Sequence, residues 1–385
     1  MKKNFLLLIL LVPTLVWCIE PLEFVCSFKL KGIEEPIYPF ASLTNDGDLF
    51  LLPYQDNMFA SSNMFVINFK NCTFKENYLY PESAKFCFIP QNDTASWNKI
   101  ISSPLFCYSC TFSFRRLFKD FLNGSTFCTI YSLKKIDDSS FLPVQMFYQI
   151  DTNELILYQL SVENFSFWGV GNIGKKGDTL ILLGSLKSKS KNKSDKKMFI
   201  FKFNYKTNYI EPIIGIDTLE KVLNTSITEV GHIVPISSDK VIFYAYSQSL
   251  PVIINTDDHN FFIFKYQGFL QSISKGNFAY YTDEKGDFCR KFLLQFFSDQ
   301  NHIILVGGVN KGTRIRNDFA LKTVCIQFYD KTSLNLIKEI IINTPETKQW
   351  VFFDAFTNQS ESKKLYFLFY DRQNNFDIYK LDLEE

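Results

Sequence analysis

Short apolar runs of three to five residues recur along the chain in pairs, each pair joined by a polar segment. The runs at 49–52 and 64–67, 127–131 and 146–150, 180–183 and 198–201, 241–244 and 252–254, 303–306 and 324–328, and 365–369 and 377–381 follow this order. Stretches this brief, rich in Phe, Ile, Val and Tyr, predict strands rather than helices. Their first members begin at 49, 127, 180, 241, 303 and 365, steps of 78, 53, 61, 62 and 62 residues. A near-constant step of this size predicts repeated small antiparallel sheets, the rhythm of a β-propeller with long loops.

Turn chemistry keeps the same phase. Polar turns precede several first strands, at 44–48, 237–239 and 298–301. Others follow the second strands, at 151–153, 204–207, 255–258 and 329–332. Asn, Asp, Ser and Gly suit them because they tolerate positive φ or bond their own backbone. Helical heptads are absent, and the best helical stretch, near Phe114 to Phe121, is short. The expected fold is therefore all-β, a six-bladed propeller occupying residues 19–385 as one domain. The last unit ends after three strands, so residues 22–30 are expected to pair with 377–383, supply the fourth strand and remove an open edge.

The fifth unit carries a family likeness. The run from Ile303 to Gly308 ends in a double glycine. A long loop, the strand 324–328 and the turn Tyr329, Asp330, Lys331 and Thr332 follow it. This order resembles a kelch blade, in which glycines let the backbone pass close to its neighbour. The likeness is degenerate elsewhere: the other units lack the double glycine, and the later Trp of the motif is missing throughout. The segment Thr282 to Gly286 misses the spacing of the Asp-box of sialidase-type propellers.

The first eighteen residues change the setting. Lys2 and Lys3 precede an apolar run from Phe5 to Trp17, and Val16 and Cys18 stand at −3 and −1 of a cut before Ile19. A basic start and an apolar core this short predict a secretory signal peptide over residues 1–18. The expected location is secreted, in the secretory pathway, or at a cell surface by association, with no transmembrane anchor after cleavage. The polar end, Asp382 to Glu385, lacks a lipid-attachment tail.

In that compartment eight cysteines remain after cleavage: Cys26, Cys72, Cys87, Cys107, Cys110, Cys128, Cys289 and Cys325. An even number predicts disulfides, here an N-terminal stapled region and a bridge joining Cys289 to Cys325. Structural zinc is the weaker reading. Only Cys107 and Cys110 have ligand-like spacing, and His232, His259 and His302 are scattered. Sequons at Asn71, Asn92, Asn123, Asn164, Asn192, Asn224 and Asn358 predict a glycoprotein.

Composition adds little to function. The 42 Phe, 19 Tyr and 4 Trp fit a strand-rich chain, and a formal net charge of +1 gives no reason to expect nucleic acid. No nucleophile elbow, phosphate loop or His-Glu-x-x-His motif occurs. The glycines at 169, 171 and 174 have the wrong spacing for a phosphate loop. No cofactor, metal or catalytic residue is expected.

One charged feature remains. Lys187, Lys189, Lys191, Lys193, Lys196 and Lys197 crowd the connection of unit three, and Lys311, Arg314, Arg316 and Lys322 the equivalent connection of unit five. Equivalent loops emerge on one face of a propeller, so the two would form a cationic binding surface. The alternative is a solvated mobile loop, and a glycan on Asn192 would obstruct the patch. The leading expectation is an adhesion or scaffold protein that binds a protein or an acidic glycan through its loops. The alternative is a secreted carbohydrate-active enzyme with carboxylates at the propeller axis.

Overall fold

The computed structural model describes residues 22–29, 40–43, 48–52, 63–68, 73–78, 85–88, 113–119, 125–135, 141–149, 154–158, 165–167, 174–186, 197–204, 207, 209–227, 231–245, 250–273, 278–312, 320–344, 350–358 and 361–383. Strand β1 (Glu23–Lys29) comes first. Sheet one then holds β2 (Phe40–Leu43), β3 (Asp48–Leu52), β4 (Asn63–Asn68) and β5 (Thr73–Tyr78) in that order. Sheet two contains β6 (Lys85–Phe88), β7 (Ser113–Lys119), β8 (Thr126–Lys135), β9 (Phe141–Gln149) and β10 (Glu154–Tyr158), with β6 lying parallel to β10 outside a four-stranded meander.

Sheet three has β11 (Phe165–Phe167) and β12 (Gly174–Lys176) side by side along β13 (Thr179–Leu186), then β14 (Lys197–Asn204) and β15 (Tyr209–Gly215). Helix α1 (Ile216–Leu223) follows. Sheet four holds β16 (Gly231–Pro235), β17 (Lys240–Ala245), β18 (Val252–Asn255) and β19 (Phe261–Ile263). Sheet five holds β20 (Phe278–Thr282), β21 (Phe288–Ser298), β22 (His302–Gly312), β23 (Ala320–Asp330) and β24 (Leu336–Asn343). Sheet six joins β25 (Phe352–Asn358), β26 (Glu361–Tyr370) and β27 (Asn375–Asp382) to β1. The fold is all-β and propeller-like, a succession of antiparallel meanders.

Packing between sheets explains why the strands read as unbroken apolar runs. In β17, Val241 and Phe243 enter a core shared with Ile181, Leu183 and Ile200 of sheet three. Ile242 and Tyr244, on the other face, join Leu293, Phe296, Ile303 and Leu305 of sheet five. In β26, Leu365, Phe367 and Phe369 meet sheet five, while Tyr366, Leu368 and Tyr370 meet Leu49, Leu51 and Ile67 of sheet one. A strand covered on both faces has no reason to alternate polar with apolar. One strand of each sheet touches counterparts in two other sheets: β2 meets β7, β7 meets β12, β12 meets β16, β16 meets β21, β21 meets β25, and β25 meets β2.

Strand β1 pairs antiparallel with β27, from Glu23 opposite Lys380 to Lys29 opposite Asn375. The buried Asp377 carboxylate accepts from the Ser27 hydroxyl and, at 2.9 Å, from Trp350 Nε1. Phe28 stacks on Phe376 with ring centres 5.0 Å apart, and Lys380 pairs with Glu23 at 2.9 Å.

Two expectations change. The segment near Phe114 is strand β7, not helix, and among the described residues the α-helix is α1. Cys289 and Cys325 are free, buried thiols. Cys289 stands opposite Lys311 and Cys325 opposite Gly307, so β22 separates them and they are offset by four residues along it. Strand spacing and rise then put their Cα atoms roughly 16 Å apart, well beyond the ~7 Å a disulfide spans. Cys26 is buried in sheet six; Cys87 and Cys128 lie on β6 and β8, whose side chains are outside the described set, as are residues Cys72, Cys107 and Cys110 entirely.

Candidate functional site

One edge of sheet five departs from the pattern of the others. Strand β20 pairs with the first half of β21, on the side away from β22. Strand β20 is thus an edge strand, lying beyond β21, which itself touches β16 and β25. It carries three exposed rings, Phe278 (37 %), Tyr280 (59 %) and Tyr281 (39 %). The other exposed large apolar side chains among the described residues are scattered singly, which is ordinary for a soluble surface. This group is not.

Strand alternation divides the rings between two faces. On one, Tyr280 lies nearly parallel to Phe288 with ring centres 5.5 Å apart, and the Arg290 guanidinium sits over Phe278 at 5.2 Å and over Phe292 at 5.9 Å. On the other, the Lys291 ammonium lies 4.1 Å from the Phe269 ring centre and 5.7 Å from that of Tyr281. A cation over an aromatic face is drawn to the ring quadrupole and holds the ring in place. Burial lowers the pKa of Lys291 against the opposing pull of Cys325 and Glu339.

A polar receptor on sheet five fixes the base of this hairpin. Glu339 Oε1 accepts from the Phe269 backbone N–H at 2.7 Å and from Gln327 Nε2 at 2.5 Å. Gln327 Nε2 also donates to the Gln267 carbonyl at 2.7 Å. The Tyr329 hydroxyl donates to Gln327 Oε1 at 2.8 Å and accepts from the Gln267 backbone N–H at 3.0 Å, and burial raises its pKa. Gly268, at φ +55°, is needed here: a Cβ would stand 2.6 Å from Glu339 Oε1. The segment held this way presents the Phe269 carbonyl, which accepts from Lys291 Nζ at 2.6 Å. A network satisfied at each of these groups is rigid.

The tip of the hairpin is a carboxylate-capped turn. Asp283 Oδ1 accepts from the backbone N–H groups of Lys285 at 3.0 Å and Asp287 at 2.8 Å, and Gly286 adopts φ +83°. The Asp287 backbone bond is the first cause of a lowered Asp283 pKa. Lys311 pairs with Asp287 and lies 3.7 Å from Asp283. Beside the turn, burial and the Asp283 charge raise the Cys289 pKa, so this thiol is not an activated nucleophile.

The basic residues expected from sequence are only partly within view. Lys197 begins β14 and is exposed. Lys311 ends β22 with its charge matched by two carboxylates, and Lys322 lies half-buried in β23. All three flank the connection between the second and third meander strands of their sheets. Lys187, Lys189, Lys191, Lys193, Lys196, Arg314 and Arg316 lie outside the described residues. So do the sequons Asn71, Asn92, Asn123, Asn164 and Asn192. Asn224 is exposed at the left-handed C-cap of α1, and Asn358 ends β25.

His232 is buried against Tyr244, with ring centres 4.8 Å apart. His302 Nδ1 lies 2.9 Å from Asp299 Oδ2, and His259 Nε2 3.6 Å from Glu211. Among the described residues no three His, Cys, Asp or Glu side chains gather to hold a metal ion, and no helix is long and apolar enough to cross a membrane. The exposed rings on β20 escaped the sequence reading. Their only signal was a ring-rich pentapeptide without charge or proline before the turn at Asp283.

No family model matches the chain, and no curated protein matches it. Among solved structures it is similar to an oligogalacturonate lyase in complex with manganese, at 12% identity over 95% of this chain and 82% of that one, with a TM-score of 0.44. An oligogalacturonate lyase from Vibrio parahaemolyticus gives 10%, 93%, 94% and 0.40, and the Dos1 propeller 10%, 90%, 68% and 0.34, in the same order. These are loose likenesses of architecture, and nothing those proteins bind or act on is carried to this chain.

Proposed function

We propose that this chain is an exported recognition protein, a closed six-bladed propeller with a kelch-like fifth blade. It binds a protein or an acidic glycan on its loop-bearing face. The contacts running from β2 through β7, β12, β16, β21 and β25 back to β2, together with the pairing of β1 with β27, support the closed ring. The observation that carries the functional reading is the rigidly based β20 hairpin with three exposed rings, since aromatic side chains give large contact area at small entropic cost.

The enzymatic alternative receives less support. Strands β2, β7, β11, β12, β16, β21 and β25 carry a single carboxylate, Asp354, whereas glycoside hydrolysis by acid and base needs a facing pair.

The test compares the chain from residue 19 with its Phe278→Ser/Tyr280→Ser variant, each immobilised and exposed to cell-surface extract, with bound material identified by mass spectrometry. The reading requires a partner that the wild type retains and the variant loses. Equal retention by both would refute it.

A further inference from the structure

Resting on the reading of the β20 hairpin as the recognition element, we infer that its open edge pairs with the β20 of a second copy, so that the chain recognises itself as a twofold dimer. The first observation is the direction of the backbone. The Asp283 N–H donates to the Asp287 carbonyl at 2.9 Å and the Gly286 N–H to the Asp283 carbonyl at 3.0 Å, so the backbone of Asp283 faces β21. Hydrogen-bonding direction alternates along an antiparallel strand. With Tyr281 opposite Cys289 and Ala279 opposite Lys291, the same phase turns Tyr281 and Ala279 toward β21. Phe278, Tyr280 and Thr282 therefore aim their N–H and C=O groups away from the sheet, where no strand among the described residues takes them up.

The second observation is that nothing guards this edge. Sheets keep their edges from pairing with other chains by charge, proline, a bulge, shortness or cover. Among the described strands at the ends of the sheets, β1, β5, β6, β7, β12, β15, β24 and β25 carry a charged residue, and β16 ends in Pro235. Strands β11 and β19 are three residues long, and β2 lies against β7 and β25. Strand β20 has no charge, proline or register shift, and Phe278, Tyr280, Tyr281 and Thr282 are all exposed.

A second copy is the occupant that fits. Antiparallel pairing about Tyr280 sets Tyr280 of one copy against Tyr280 of the other, and Phe278 against Thr282. It uses every outward N–H and C=O on both strands, and no charge on either strand opposes it. Tyr280 arrives braced by Phe288, with ring centres 5.5 Å apart. The twofold leaves no outward group for a third copy, so the assembly closes at two. At about 200 Å² for a whole aromatic side chain, exposures of 37, 59 and 39 % leave roughly 270 Å² of ring surface on each copy. The pair covers roughly 540 Å², about half of what a stable interface needs, so the dimer is reversible and forms where copies are concentrated. Two paired copies present each loop twice, which holds a surface partner at two points.

The test is sedimentation velocity on the chain from residue 19, at concentrations from about 2 to 200 µM. The wild type must shift from monomer toward dimer and no further. Tyr280→Lys and Tyr280→Glu each set like charges face to face across the twofold, and each must weaken the dimer at least tenfold. An equimolar mixture of the two must recover it, at least fivefold tighter than either variant alone; that recovery also establishes that both variants fold. Thr282→Pro keeps all three rings and the ladder to β21 but removes an outward donor, and it must weaken the dimer at least tenfold with melting curves matching wild type. Tyr209→Ala, which removes an equally exposed ring on β15, must leave the dimer within twofold.

A wild type that stays monomeric throughout, growth beyond the dimer, a Thr282→Pro variant that dimerises as wild type does, or a mixture that stays monomeric would each overturn the inference. If capture from cell-surface extract depends on Tyr280 while the wild type stays monomeric, the edge takes another partner: the inference fails and the recognition reading stands. If neither occurs, both fail.

Discussion

Adding a single methyl group at Gly307 or Gly308 should destabilise the protein by a calculable amount. A Cβ on Gly307 would stand 2.5 Å from the Phe292 carbonyl oxygen and 3.3 Å from Leu270 Cδ2. One on Gly308 would stand 2.5 Å from the Thr323 carbonyl oxygen and 3.1 Å from Phe292 Cζ. Both obstacles are strand backbone, so relief needs β21 or β23 to move away by about 0.8 Å, and overpacking of that kind costs about 1–3 kcal/mol. Alanine returns about 0.4–1 kcal/mol by restricting the unfolded chain, leaving about 1–2 kcal/mol of destabilisation at each site. For a chain of 385 residues the unfolding entropy is on the order of 0.8 kcal/mol per degree. Each single variant should therefore melt about 2 °C lower, and the pair about 4 °C lower, by circular dichroism. Gly286→Ala is the control for conformation alone, because its added Cβ meets nothing within 4 Å while its φ of +83° disfavours a side chain. If either Gly307→Ala or Gly308→Ala melts at or above wild type, close backbone approach is not what these glycines provide.

Two further outcomes follow from named contacts. Deleting residues 19–30 removes the partner of β27 together with Ser27, Phe28 and Cys26. The variant should aggregate or elute as oligomers in size-exclusion chromatography, and a monomer with unchanged melting would contradict ring closure. Burial pushes Lys176 from its ordinary 10.5 down to about 8, against the pull of Asp239 and Asp257. The unfolded chain then holds the extra proton between those two values, so this residue makes stability rise from pH 8 toward pH 10.5. The full displacement corresponds to roughly 3 kcal/mol, cut by solvent screening at this partly exposed site to about 1 kcal/mol. Lys176→Met should flatten the pH dependence of urea midpoints by that amount; an unchanged slope would refute the assignment.

The second and third strands of each meander were legible because they are buried on both faces and end in turns with Asn, Asp or Gly. The strand β7 was not. Phe114, Leu117, Phe118 and Phe121 have helical spacing, yet the segment pairs with β8, and the register shift between Phe114 and Arg116 breaks the two-residue alternation that would have marked a strand. Conversely, α1 has Ile216, Leu219 and Leu223 on one side and Asp217 in its first turn, a signal hidden by the continuous apolar run of β15 before it. The candidate site was hidden for another reason. In sequence, Phe278, Tyr280 and Tyr281 look like one more core strand. Only the pairing order, which puts β20 at the edge of sheet five beyond β21, leaves those rings exposed. The pairing of Cys289 with Cys325 fails because an even count of cysteines says nothing of register, and β22 stands between the two.

Hydrogen–deuterium exchange on the full chain from residue 19, with and without saturating heparin octasaccharide, tests most directly the proposal that the β20 hairpin is the recognition site. The account predicts slower exchange at 278–282 and 288–292, with a smaller effect on 113–119, and none on the outer strands at 209–215 and 336–343. Protection confined to those outer strands or to the turns at 256–260 and 299–301, with 278–292 unchanged, would contradict it.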